Sequence, residues 1–285
     1  MSPVGRVLRR IARGFPRWPI VAELEIAGLS RPLTSYGLCA ILGVLLGSAL
    51  IGFLARRRGF PLFEALAACA LGVGFGLLGA KLLFLAVSLP KIAVEGIGPY
   101  IESGGFVFYG GLIVGSAAVI AYLRLIRLPA LDFADVVAPG LALGHALGRV
   151  GCFLMGCCHG RPTDLPFGVR FPKTPFFAGP TDTPLHPVQL YEAAFELALT
   201  GLLLGLCLGR RTRRFSGGVF ALWCAGYGSF RLIAELFWRG DDRGLGTRVL
   251  PPSALISLLL IAAAIGFAWR GRHSARLKTS GQTSP

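Results

Sequence analysis

The chain has 285 residues, of which 54% are hydrophobic and 15% are charged, and its mean hydropathy is +0.66. One water-facing shell cannot accommodate so much apolar surface, so the composition excludes an ordinary soluble enzyme and indicates an integral membrane protein. The formal net charge of +15 would suit nucleic acid, but the basic residues form short clusters at the ends of apolar segments instead of one basic face. We therefore predict no nucleic-acid partner.

Residues 1–14 contain several arginines but lack the apolar core and the small-residue cleavage site of a signal peptide. We predict that they form a basic N-terminal extension lying on anionic lipid. At the other end, residues 271–285 are basic and then small and polar. This composition is typical of a disordered tail.

Seven stretches between these ends are apolar enough to cross a hydrocarbon core, which takes about 20 residues of helix. They are residues 33–55, 62–89, 106–123, 133–154, 187–209, 217–238 and 252–269. The predicted fold class is therefore all-α, a polytopic membrane protein with a seven-helix transmembrane domain over residues 15–270. Many of the 40 glycines recur along the predicted helices, which favours close packing through small residues.

The distribution of arginine and lysine predicts the orientation of the spans. Basic clusters follow spans one, three, five and seven, whereas the alternate loops carry fewer. By the positive-inside rule, the C-terminus is then cytoplasmic and the N-terminus external. Residues 155–186, rich in proline, glycine and threonine, are predicted to form an external loop or small head between spans four and five.

Polar residues of the predicted spans fall toward one half of the bilayer, the outer half. They are Tyr36, Lys81, Tyr109, His145, Arg149, His186, Gln189, Tyr191, Glu192, Arg231 and Glu235. A charged group at membrane depth is costly, so it needs a partner, a water-filled cavity or a function. One polar cavity that opens outward accounts for the segregation, and its two arginines and one lysine suit a phospholipid phosphate.

Structural explanations of these residues stay open, because several of them are spaced as neighbours on one helix face. The pairs are His145 with Arg149, Arg231 with Glu235, and Glu192 with Glu196. Either of the first two could be a buried structural pair. The two glutamates would repel, so we expect one to be protonated or paired with an arginine. An anion transporter could use the same groups, although neither repeat symmetry nor discontinuous helices are evident.

Three cysteines and a histidine follow Arg149 in the stretch GRVGCFLMGCCHG (148–160). The spacing C-x4-C-C-H is not a standard zinc pattern, so we predict no metal. A disulfide from Cys152 to Cys157 or Cys158, simple packing, and a covalent catalytic cysteine all stay open. The chain has no nucleotide or heme motif, and no soluble cofactor is predicted.

Five motifs in chain order resemble the signature of the prolipoprotein diacylglyceryl transferase family. They are YGL (36–38), YGGLIVG (109–115), GRVGCFLMGCCHG (148–160), HPVQLYEA (186–193) and YGSFRLIAELF (227–237). The resemblance covers roughly residues 15–270. It implies an enzyme of the bacterial plasma (inner) membrane that moves the diacylglyceryl group of phosphatidylglycerol to the lipobox cysteine of prolipoprotein signal peptides, the first step of lipoprotein maturation.

The resemblance also implies roles for the polar residues. Catalytic roles fall to Arg149, Tyr109, His145, Arg231 and Glu235. Substrate-binding roles fall to Tyr36, Lys81, Gly110, Gly111, Arg149, His186, Gln189, Tyr191 and Glu192. Arg149 is the first choice for stabilising the leaving phosphate and Arg231 the second.

The chain departs from the family at the position of the catalytic base. The family usually opens span three with His-Gly-Gly, but Tyr109 stands there, and cysteines replace familiar asparagines. His145, one turn from Arg149, is the obvious substitute base. These departures keep two alternatives open, a related membrane transferase with a different acceptor and an anion or lipid transporter.

Overall fold

The computed structural model describes residues 20–26, 29–102, 105–172, 182–209, 216–239 and 252–280. In this part of the chain, an antiparallel hairpin of β1 (Ile20–Ile26) and β2 (Leu29–Thr34) precedes nine helices. The helices are α1 (Ser35–Arg58), α2 (Leu62–Val87), α3 (Leu89–Glu95), α4 (Gly98–Glu102), α5 (Phe108–Leu125), α6 (Ala130–Met155), α7 (Val188–Leu208), α8 (Gly218–Phe237) and α9 (Pro252–Ser280). The predicted basic extension over residues 1–14 lies outside the described residues.

Six of the described helices, α1, α2, α5, α6, α7 and α8, are long and apolar enough to cross a membrane. Many of their large apolar side chains face outward; Leu45 is 60% exposed, and Ile113 and Phe237 are each 67% exposed. Such surfaces need lipid, so the predicted all-α, multi-pass membrane class is confirmed. The apolar segment in α9, Ser253–Phe267, is shorter, and a seventh span stays a prediction.

The two ends of the helical region differ from the predicted boundaries. Strands β1 and β2, which the sequence did not predict, precede α1, and α1 begins at Ser35. The backbone N–H of Gly37 donates a hydrogen bond to Oγ1 of Thr34 at 3.0 Å, so Thr34 caps the first turn of α1. At the C-terminal end, α9 continues to Ser280, beyond the predicted end of span seven at residue 269.

The described residues form two compact units, one containing those up to Leu50 and from Val137 onward, the other Ile51–Val136. In the Ile51–Val136 unit, α2 packs against α5 through glycines. A Cβ atom added at Gly111 would lie 2.7 Å from the carbonyl oxygen of Gly76, and one at Gly115 would lie 2.8 Å from that of Gly72. The two backbones are therefore in direct contact, as the glycine spacing predicts.

The other unit uses the same type of contact between α1 and α6. A Cβ atom at Gly43 would lie 2.8 Å from the carbonyl oxygen of Gly144, and one at Gly47 would lie 2.8 Å from that of Gly140. Helices α7 and α8 pack through the stacked rings of two phenylalanines, whose centroids are 4.3 Å apart. Helices α6, α7 and α8 carry the polar cluster described below.

The segment between α6 and α7 folds around a small apolar core of its own. Phe153, Val169, Phe171 and Leu185 are buried together, and Val169 pairs with Leu185 through two backbone hydrogen bonds of 2.9 Å. The predicted loop or small head is therefore a folded element in its described residues. Its external position stays a prediction.

Candidate active site

Glu192 lies at the centre of a buried ion-pair cluster. Its side chain, near the start of α7, is 1% exposed. The carboxylate contacts Nε of Arg149 on α6 and Nη1 of Arg231 on α8, and Nη1 of Arg239 lies 3.7 Å away. Nε of Arg149 and Oε2 of Glu192 form an ion pair, but among the described residues neither atom makes a hydrogen bond. One carboxylate thus draws together three guanidinium groups, and the prediction that a glutamate of the Glu192 and Glu196 pair meets an arginine is confirmed.

Glu235, one turn from the end of α8, completes the cluster. Its Oε2 lies 3.3 Å from Nη2 of Arg231 and 3.5 Å from Nε of Arg239, and both arginines are four residues away along the chain. The predicted proximity of Arg231 and Glu235 is therefore confirmed. Arg239 follows α8, yet it is 6% exposed and reaches both carboxylates.

The cluster carries more positive than negative charge. Among the described residues it joins three arginines to two glutamates. Burial first, and then the positive charges of Arg231 and Arg149, lower the pKa of Arg239. The buried Nη2 of Arg149 has no hydrogen-bond partner within the described part of the chain. A surplus guanidinium with an unsatisfied donor is suited to an anion that accepts hydrogen bonds.

His145 on α6 and Glu196 on α7 form a second polar pair. Nδ1 of His145 lies 3.0 Å from Oε1 of Glu196, and the carboxylate side chain is fully buried whereas the imidazole is 31% exposed. The edge of the imidazole also packs against Tyr227 at a centroid distance of 5.0 Å. With Nδ1 engaged and the ring packed, Nε2 is the nitrogen that can exchange a proton with another molecule.

Two further predicted site residues contact the part of the chain that follows Arg149. Tyr36, the second residue of α1, is 45% exposed and packs against Gly151, where an added Cβ atom would lie 3.1 Å from the tyrosine Cα. Gln189 is fully buried, and its Nε2 donates to the carbonyl oxygen of Cys157 at 2.7 Å. Gln189 therefore holds the segment that follows α6.

His186 and Tyr191 lie at the start of α7. Nδ1 of His186 lies 3.2 Å from the hydroxyl oxygen of Tyr191, and the ring of Tyr191 meets Trp238 edge to face at 5.3 Å. Partial burial lowers the pKa of His186, which favours its neutral form at pH 7. The backbone of His186 also pairs with Arg161, whose N–H donates to the carbonyl oxygen of Trp238 at 2.8 Å. This network joins the ends of α6, α7 and α8.

Four predicted site residues belong to the Ile51–Val136 unit. They are Lys81, Tyr109, Gly110 and Gly111. Nζ of Lys81 donates to the carbonyl oxygen of Tyr100 at 2.8 Å and lies 5.1 Å from the ring centre of Phe84 and 5.3 Å from that of Phe106. Tyr109 is half-buried at the start of α5, and both glycines contact α2. Helix packing explains these glycines, and the substrate-binding and catalytic roles of all four residues stay predictions.

The structure adds three residues that the predicted site lacked, Glu196, Tyr227 and Arg239. The spacing of four residues from Glu192 to Glu196 and from Glu235 to Arg239 places each pair on one helix face, so a local signal existed for two of them. Tyr227 has the same spacing from Arg231, but that spacing did not indicate a contact with His145. Its importance depends on the contact with His145, which is on another helix.

Comparison with known proteins decides the family. The model of the family described as prolipoprotein diacylglyceryl transferase matches residues 24–270. The chain belongs to this family. A Clostridium tetani relative named phosphatidylglycerol--prolipoprotein diacylglyceryl transferase is 36% identical over 246 residues, which cover 85% of this chain and 93% of the relative.

Two further relatives carry the same name. The Methylocella silvestris protein is 32% identical over 270 residues, covering 89% of this chain and 96% of its own length. The Geobacter sulfurreducens protein is 36% identical over 224 residues, covering 74% and 79%. The resemblance found in the sequence motifs is thus confirmed, and this prolipoprotein diacylglyceryl transferase family member is a transferase with multiple membrane-spanning helices.

Proposed function

We propose that the protein transfers the diacylglyceryl group of phosphatidylglycerol to the thiol of the lipobox cysteine in prolipoprotein signal peptides, the first step of lipoprotein maturation. Family membership supports the reaction class. The observation that carries the proposal at the level of residues is the buried surplus of guanidinium charge around Glu192.

The cluster supports binding of the lipid phosphate. A phosphodiester carries one negative charge, which would balance the surplus of three arginines over two glutamates among the described residues. Nη2 of Arg149 supplies a buried donor that has no hydrogen-bond partner among the described residues. Donors fixed in place before the reaction stabilise charge without further reorganisation. Arg149 is therefore assigned to the phosphate, with Arg231 and Arg239 as neighbouring cations.

The proposed reaction is a displacement at a glyceryl carbon. The cysteine sulfur forms a C–S bond to the carbon of the diacylglyceryl group, and the bond from that carbon to the phosphate oxygen breaks. The electron pair of the broken bond stays on the phosphate, which leaves as glycerol phosphate. Negative charge grows on this leaving group during the reaction. The guanidinium of Arg149 therefore stabilises the transition state more strongly than it stabilises the bound lipid.

The thiol proton needs an acceptor, because a thiolate is the effective nucleophile. We assign this role to Nε2 of His145. The contact between Nδ1 and Glu196 orients the ring, so that Nε2 is the nitrogen presented to the thiol. His145 lies one turn from Arg149 on α6, so the base and the phosphate-binding residue share one rigid helix.

The proposed setting is the bacterial plasma (inner) membrane. Six described helices can cross it, and the proposed arrangement adds a seventh span within α9, an external N-terminus and a cytoplasmic C-terminus. The site then faces the outer leaflet, where a prolipoprotein signal peptide and phosphatidylglycerol meet. The excess of arginine and lysine near the opposite ends of the helices supports this orientation.

A reconstituted assay tests the proposed function. The purified chain is placed in vesicles of phosphatidylglycerol or of phosphatidylethanolamine alone, with a lipobox peptide, and thioether-linked diacylglyceryl peptide is measured by mass spectrometry. Product is expected with phosphatidylglycerol and not with the other lipid, and not with a peptide whose cysteine is serine. Arg149→Ala should lower the rate by on the order of 100-fold or more. Arg124→Ala, which removes an exposed arginine at the end of α5, is the matched control.

Two results would contradict the proposal. One is the absence of product from the wild-type chain under conditions in which a known family enzyme is active. The other is full activity of Arg149→Ala. Product formed from phosphatidylglycerol on some other thiol or amine acceptor would instead favour the alternative of a related transferase.

A further inference from the structure

Three thiols that the proposed reaction does not use converge beside the ion-pair cluster. Cys152 is in the last turn of α6, and Cys157 and Cys158 follow the helix. Their Sγ atoms all lie within 4.8 Å of one another. Among the described residues, none of the three forms a disulfide, although the sequence left one open. Cys152 is buried, while Cys157 and Cys158 are half-buried.

The backbone after α6 turns back sharply to bring the thiols together. Gly156 has φ +74°, and Cys158 has φ +62°, a left-handed conformation that is unfavourable for a residue with a Cβ atom. The N–H of Cys157 donates to the carbonyl oxygen of Cys152 at 3.1 Å, and Gln189 holds the carbonyl oxygen of Cys157. A backbone position of this kind persists when the surroundings hold it, and it is more common at functional sites.

The separation of the sulfur atoms suits a shared metal ion. A thiolate binds Zn²⁺ at about 2.3 Å, so sulfur atoms arranged around one ion lie roughly 4 Å apart. The Sγ atoms lie within 4.8 Å of one another. Each sulfur therefore has to move by less than about 1 Å to bind a shared ion. A disulfide would require two sulfurs at about 2 Å instead.

One cation lies beside the three thiols. Nη1 of Arg149 lies 3.9 Å from Sγ of Cys152, and the neighbouring cluster has surplus positive charge among its described members. Three thiolates and one divalent ion carry a net charge of −1, and the guanidinium of Arg149 lies next to that charge. Thiolate ligands select soft or borderline ions over magnesium and calcium.

We propose that Cys152, Cys157 and Cys158 form a binding site for one thiophilic divalent metal ion of the zinc and cadmium class. Each thiol that becomes a ligand loses its proton to solvent when the ion binds, and no oxidant or reductant is involved. The sequence alone disfavoured a metal because its spacing matches no standard zinc pattern, whereas the fold supplies the proximity. The site does not depend on the proposed transferase reaction.

Cadmium titration tests the site in the full-length protein. The purified chain is reduced, stripped with a chelator and titrated with CdCl₂, while the ultraviolet absorption of the sulfur-to-cadmium charge transfer is recorded. Saturation at one equivalent per chain is expected. Cys152→Ser, Cys157→Ser and Cys158→Ser should each lose this absorption. Cys69→Ser, which changes a half-buried cysteine on α2, is the control and should retain it.

Thiol mapping of the wild-type chain gives a readout that does not depend on the folding of variants. With one equivalent of cadmium, alkylation at the three thiols should fall sharply, while alkylation of Cys69 stays unchanged. The proposal is overturned if the wild type shows no charge-transfer absorption, if serine variants keep one-equivalent binding, or if cadmium protects none of the three thiols.

Discussion

At the scale of single residues, Glu192 controls the site because its carboxylate meets arginines from two helices and from the segment after α8. Without it, Glu235 would be the remaining carboxylate in the described cluster to balance three guanidinium groups. Removing one partner from a buried ion pair leaves an uncompensated charge, which costs more than the pair contributes.

We therefore expect Glu192→Gln to lower the free energy of unfolding by about 3 kcal/mol or more and to abolish transfer activity. Thermal unfolding in detergent and the vesicle assay measure the two effects. Asp164→Asn removes the same charge from an exposed position in the loop after α6 and should change neither. An unchanged unfolding midpoint for Glu192→Gln would show that this carboxylate is not needed to compensate the charge of the buried arginines.

The second prediction at this scale concerns the base. His145→Gln should reduce the transfer rate at pH 7 by on the order of 100-fold. The loss should shrink as the pH rises past about 8.5, because the acceptor thiol then ionises without a base. Rates at saturating lipid across this pH range measure the effect. A deficit that stays constant at high pH would assign His145 a structural role.

Glu196 acts through His145 in this scheme and is a positioning residue. Glu196→Gln should give the same pH-dependent deficit in weaker form, and the double variant should be no slower than His145→Gln alone. Additive losses would indicate that the two residues act independently, against the hydrogen bond of 3.0 Å between them.

At the scale of elements, α2 and α5 associate because glycines let their backbones touch. Lipid provides no hydrophobic drive for two helices to pair, so van der Waals contact at short distance has to stabilise them. Gly115 faces Gly72 at this contact, whereas a Cβ atom added at Gly74, on the same helix as Gly72, would meet no described atom of another segment within 4 Å. A substitution at Gly115 therefore tests the contact between the helices, whereas a substitution at Gly74 tests helix propensity alone.

We expect Gly115→Ala to destabilise the protein by roughly 1 to 3 kcal/mol, because its Cβ atom would lie 2.8 Å from a carbonyl oxygen. Gly74→Ala should be neutral or stabilising by up to about 1 kcal/mol, since alanine is the better helix former. Thermal unfolding midpoints of the two variants in the same detergent provide the measurement. Equal effects would show that the backbone contact is not specific.

At the scale of the whole molecule, the number of spans decides on which side the ends lie. The six described spanning helices alone would place both ends of the helical region on one side, whereas a seventh crossing by α9 places them on opposite sides. Green fluorescent protein fused to the C-terminus should fluoresce, as it does in the cytoplasm, whereas alkaline phosphatase fused after Pro172 should be active outside. The reverse pattern would contradict the proposed orientation.

Much of the candidate site could be predicted because local sequence carries it. The spacing of Arg231 and Glu235 places both on one face of α8, and they meet at 3.3 Å. The identity of partners on different helices could not be predicted, because His145 meets Glu196 through the rotation and depth of two helices. The hairpin before α1 was also missed, since short strands beside a long apolar helix produce a weak pattern.

The sequence by itself determined that the chain lies in a membrane, where its principal helices run and which family it belongs to. The length of apolar segments, the charge at helix ends and the order of motifs are local properties, so they can be read from the sequence alone. Only the tertiary structure decided that Glu192 gathers three arginines and that three thiols share one location. Such groups are distant or irregularly spaced along the chain, and only the packing of helices and the turn after α6 bring their atoms within reach of one another.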